Sequence, residues 1–110
     1  MVPNHPGVRS AYLFPALVAC IALSSCGGMV KKGAIIQAQR SYDKGQYDKA
    51  LQQLTLADQD NTEAVLLKAR SHEAKGEKDL ARGYYSYLVK NHPDSAEGIV
   101  AQQKLRILSR

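Results

Sequence analysis

From Ala34 onward, apolar residues recur every three to four positions and polar residues fill the gaps, the signature of consecutive amphipathic helices. "AIIQAQRSYDK", residues 34–44, places Ala34, Ala38 and Ser41 on one line with Ile35 and Tyr42 flanking, and Gly45 stops it. "YDKALQQLTLAD", residues 47–58, carries Tyr47, Ala50, Leu51, Leu54 and Ala57 as a single stripe. "EAVLLKARSHEAK", residues 63–75, buries Val65, Ala69 and His72 and is closed by Gly76. "KDLARGYYSYLVK", residues 78–90, lines up Ala81, Tyr84, Tyr85 and Leu88 before Pro93 ends it, and residues 96–110 supply a fifth helix. "DNTE" predicts Asp60 as an N-cap with Glu63 three residues on, and "DSAE" predicts Asp94 with Glu97. Gly83 falls inside a helical stretch, at a cost of about 1 kcal/mol relative to alanine, which predicts close approach of a neighbouring helix there. No segment alternates with the period of a strand, so the expected fold class is all-α.

The chain is 110 residues long and 31 of them separate two copies of one pattern. Gly45 aligns with Gly76, Ala50 with Ala81, Leu54 with Tyr85 and Ala57 with Leu88. Helix, tight turn, helix, written twice, describes an array whose single unit cannot bury its own apolar face. The pattern resembles the tetratricopeptide repeat. Residues 31–61 supply Ala38, Gly45, Tyr47, Ala50, Leu54 and Ala57, and residues 62–95 supply Ala69, Gly76, Ala81, Tyr85, Leu88 and Pro93, with residues 96–110 as a capping helix. The first unit is three residues shorter than the second and lacks its closing proline. Both units have a small or medium residue, Ala34 or Val65, where the family places a large aromatic. An unrelated array of helical hairpins is the alternative.

The amino end differs in kind. "MVPNHPGVRS" carries one charged side chain, Arg9, and residues 11–23 are uncharged and too few for a membrane-spanning helix. A weakly basic start, a short apolar stretch and small residues predict a secretory signal over residues 1–25. Both cysteines, Cys20 and Cys26, lie here, which excludes a disulfide framework spread through the fold. "LSSC", residues 23–26, resembles the bacterial lipobox, with Cys26 as the thiol that takes a lipid. "LVAC" fits the same pattern at Cys20, but only Cys26 leaves a full apolar core behind it and a flexible tether, residues 26–33, ahead of it. The next residue is Gly27 and not aspartate, which by the same resemblance implies the outer membrane, with the chain on its periplasmic face.

Charge and chemistry narrow the function. The net charge is +5, but cations and anions alternate, as in Asp43–Lys44, Asp48–Lys49 and Lys78–Asp79, so no patch suited to nucleic acid forms. His72-Glu73 has no second histidine four residues later, no serine has a base and acid in context, and no glycine-rich phosphate loop occurs, so neither catalysis, a cofactor nor a metal is expected. Tyr84, Tyr85 and Tyr87 lie on different sides of one helix, and Tyr85 takes the packing position.

The repeat resemblance implies a concave surface built from the first helix of each unit and a protein or peptide partner. The residues it assigns to partner binding are Gln39 and Tyr42, then Leu66, Arg70 and Glu73, then Lys104. The lysine and asparagine that clamp a carboxyl terminus in chaperone-binding relatives are absent, Ile35 and Gln39 standing there. "NHPDSAEGIVAQQKL" also resembles the joint between repeats in envelope lipoproteins. The expectation is a lipid-anchored adaptor of an envelope machine, in barrel-protein assembly, a pilus or secretion channel, or polysaccharide export. The alternatives are a structural envelope lipoprotein with no peptide groove, or an inactive accessory to a hydrolase.

Overall fold

A computed structural model describes residues 31–110, and these form one compact unit. The expected signal segment, Cys20, Cys26 and residues 26–30 of the expected tether lie outside the described residues. Within them the chain is helical over residues 31–43 (α1), Tyr47–Leu54 (α2), Thr62–Ala74 (α3), Lys78–Asn91 (α4) and Ala96–Leu108 (α5), with no strand. Successive helices are antiparallel neighbours, and α5 packs on both α4 and α3. This is the all-α array of helical hairpins that the sequence predicts.

The two glycine turns explain how the repeat closes. Gly45 has φ of 79° and Gly76 has φ of 84°, conformations that favour glycine because it has no Cβ. At the first turn the Gly45 N–H donates to Tyr42 O (2.9 Å) and the Gln46 N–H to Ser41 O (2.8 Å). At the second, Gly76 donates to Glu73 O (3.0 Å) and Glu77 to His72 O (2.9 Å), the same pair of bonds one repeat later. Both turns thus satisfy the carbonyls left open at a helix end.

Burial repeats with the sequence. Ala38 and Ala69, Ala50 and Ala81, and Leu54 and Tyr85 are all 0% exposed. Small residues let the helices approach, and the larger side chain one turn on fills the space beyond. Each large side chain so buried contributes about 1.5–3 kcal/mol of hydrophobic stabilisation. Two clusters result. Ala38, Ala50, Leu54, Ala57, Ala64 and Leu67 form one; Val65, Leu66, Ala69, Ala81, Tyr85, Leu88 and Ala101 form the other. Helix α3 contributes to both, on different faces.

Several expectations need correction. Helix α1 reaches back at least to Lys31, through the stretch expected to be tether. Buried Ala34 and an ion pair from Lys31 to Asp58 (2.8 Å) tie that first turn to the fold. Helix α2 ends at Leu54, three residues before its apolar stripe does. The N–H groups of Thr55, Leu56 and Ala57 switch to carbonyls three residues back, a tighter winding that still delivers Ala57 to the core. The caps fall one residue later than expected. Asn61 Oδ1 accepts from the Ala64 N–H (3.1 Å), and Ser95 Oγ accepts from the Gly98 N–H (2.9 Å), while Asp60 and Asp94 stay outside the helices.

The close approach expected at Gly83 occurs elsewhere. Gly83 is exposed, with no atom within 4 Å of where a Cβ would stand. At Gly98 a Cβ would lie 2.0 Å from His92 O, so the α4–α5 joint crosses the first turn of α5 with no room for a side chain. Ser95 clasps that joint by donating its hydroxyl to the same carbonyl (2.8 Å).

Candidate functional site

Helices α1, α3 and α5, the alternate members of the array, border a shared groove. Its volume is about 370 Å³, and it is lined by Ile35, Ile36, Gln39 and Arg40 of α1, by Glu63, Leu66, Leu67 and Arg70 of α3, and by Glu97 of α5. Ile36 is 55% exposed although it is a large apolar residue. Leu66 is buried and belongs to the core, so it forms the floor rather than a projecting contact. Arg40 and Arg70 have no carboxylate partner among the described residues.

Three of the six residues expected to bind a partner therefore meet at this groove: Gln39, Leu66 and Arg70. Gln39 is exposed and donates to Asp43 (2.8 Å). The other three have internal work. Tyr42 packs against the first cluster and meets the edge of the Tyr47 ring, with centroids 5.3 Å apart. Glu73 accepts from Lys104 Nζ through both oxygens (3.3 Å each) and from the Tyr85 hydroxyl (3.5 Å). Glu73 and Lys104 thus join α3, α4 and α5. Burial, and then the negative charge of Glu73, push the Tyr85 hydroxyl far above its ordinary range.

Sequence reasoning missed Ile35, Ile36, Arg40, Glu63 and Glu97. A signal for the first three was present, because Ile35, Ile36 and Arg40 share the helix surface around Gln39. In the sequence, Glu63 and Glu97 stand out only as capping partners. Both stand in the first turn of their helices, where a carboxylate also complements the helix dipole.

His72 behaves as a packing residue. Its ring stacks on Tyr84 with centroids 5.5 Å apart and an interplanar angle of 7°, and its Nδ1 meets Glu77 Oε1 at 3.2 Å. The hydrogen bond from His72, and then that from Lys75, hold the Glu77 carboxyl below its ordinary range. Lys75 also pairs with Asp48, which links the start of α2 to the end of α3 and raises the lysine above its ordinary range. Among the described residues no three His, Cys, Asp or Glu side chains gather as a metal site. No described helix is long and apolar enough to cross a membrane.

A family model of the tetratricopeptide repeat matches residues 63–95, the hairpin of α3 and α4 with its closing proline. No curated protein and no solved structure shows significant similarity to the chain. The chain thus contains a tetratricopeptide repeat, a module that in general binds proteins and does not itself catalyse reactions.

Proposed function

We propose that this chain is a non-catalytic adaptor, anchored by lipid at Cys26 on the periplasmic face of the outer membrane, that holds a peptide segment of an envelope assembly in the groove between α1, α3 and α5. One observation carries the reading: the groove combines exposed Ile36 with two arginines that have no carboxylate partner among the described residues. An apolar anchor flanked by two arginines and two glutamates suits a protein interface, because arginine and buried apolar side chains dominate binding energy. The lipid and envelope parts of the proposal rest on the resemblance of residues 23–26 to a lipobox.

The test is an Ile36→Asp, Arg70→Ala variant of the full chain, compared with wild type by circular dichroism and then by pull-down from detergent-solubilised envelopes. The expected result is an unchanged spectrum with partners lost. A folded variant that keeps its partners would remove the groove from the proposal. Fatty-acid labelling addresses the anchor separately: Cys26→Ala should abolish incorporation and Cys20→Ala should not.

A further inference from the structure

A second opening lies away from the first groove, between α4 and the segment that follows α2. Helix α2 has 8 residues and α4 has 14, and the two make no packing contact. Beyond Leu54 the wall is the connecting segment, at Gln59 and Asp60, while Val65 and Lys68 of α3 form the floor. On the far side stand Leu80, Gly83, Tyr84 and Tyr87. The volume is about 470 Å³, inside the range of roughly 300–1,000 Å³ seen for ligand pockets. Leu80 is 50% exposed, and the missing side chain of Gly83 keeps the middle of the slot open.

Lys68 gives this slot its chemistry. The residue is only 8% exposed, and its Nζ donates to Gln59 Oε1 at 3.1 Å. The ammonium lies 6.0 Å from the centroid of the Tyr84 ring. No carboxylate comes within ion-pair distance of it among the described residues. The two acids bordering the slot have partners other than Lys68. Asp60 accepts from the Tyr87 hydroxyl (2.6 Å), and Asp79 pairs with Arg82 (3.1 Å). Burial disfavours the charged form of Lys68 and lowers its affinity for a proton. A sheltered cation facing an open apolar slot is complementary to a ligand that brings an anion and an apolar group together.

We infer that this slot is a second docking site, which takes an apolar side chain of a partner protein against Val65, Leu80 and Tyr84 while a neighbouring aspartate or glutamate of that partner reaches Lys68. Gly83 is left without a side chain so that the partner backbone can approach α4. The site is independent of the α1–α3–α5 groove and of the lipid anchor.

The probe is an acetylated and amidated peptide of pattern Leu-x-x-Leu-Glu, with a second peptide carrying glutamine for its glutamate, titrated into the isotope-labelled full chain by nuclear magnetic resonance. The acidic peptide should move the Gly83 and Tyr84 amide signals and bind about tenfold tighter than the neutral one. Lys68→Met, which keeps the alkyl stem, should remove that difference. Gly83→Leu, whose Cβ meets nothing within 4 Å, should block both peptides while circular dichroism shows the helix content of wild type. Equal binding of the two peptides, a charge preference that survives Lys68→Met, or no movement of the slot's signals would overturn the inference. Shifts that depend on protein concentration without peptide would also overturn it and assign the slot to a second copy of the chain.

Discussion

At the scale of single residues, two glycines of one composition have opposite meanings. Gly98→Ala puts a methyl group against the His92 carbonyl, at a distance no real Cβ contact tolerates, so the α4–α5 joint must move. The expected loss is about 1–3 kcal/mol by chemical denaturation, the range for forcing atoms into a packed site. Gly83→Ala enters open space on an exposed helix face and should stabilise the protein by about 0.5–1 kcal/mol. Equal effects of the two would contradict this account. Their roles could not be told apart in the sequence, since each sits among helix-forming residues. What separates them is the path of residues 92–95 across α5, a tertiary fact. Gly45 and Gly76 were legible for the converse reason: their need for positive φ is local, and the spacing repeats.

At the scale of elements, the hairpins are held by a seam of small residues. Ala50→Leu and Ala81→Leu should each cost about 1–3 kcal/mol, because both alanines are fully buried, whereas Gln52→Leu on the exposed side should change the melting point little. The caps supply a finer comparison in the same melts. Asn61→Ala and Ser95→Ala should each cost about 1 kcal/mol, and Asp94→Ala less. Periodicity and the glycine and proline stops revealed all five helices, although α3, packed on two sides, buries Ala64 through Ala69 without a break rather than one stripe. The sequence pattern placed the caps one residue early because "DN" and "DS" each offer two adjacent capping side chains. The choice between them depends on which residue adopts the extended backbone before the helix, as Asn61 and Ser95 do. The groove was half legible for a related reason. Repeat alignment identifies a face, but it does not show that Tyr42 also packs against Tyr47, or that Glu73 and Lys104 pair with each other.

At the scale of the whole molecule, Tyr85, Glu73 and Lys104 join the last three helices, and this tie has a pH dependence. The folded state holds the Tyr85 proton far above its ordinary value of 10.0. Its contribution is therefore complete below about pH 10 and is lost as the pH rises further, where the unfolded chain releases the proton and the folded chain does not. Wild type should lose melting temperature more steeply than Tyr85→Phe between about pH 9 and pH 11. Parallel curves would show that another group governs alkaline unfolding. Helix α3 has a wider consequence. It gives Ala64 and Leu67 to one cluster, and Val65, Leu66 and Ala69 to the other. The first hairpin can therefore open on its own while the rest stays closed, but α3 cannot open without releasing both clusters. A peptide bridging α1 and α3 would bind only while that first hairpin is shut. Occupancy would then slow the exchange of amide protons in α2, a helix that contributes no residue to the groove.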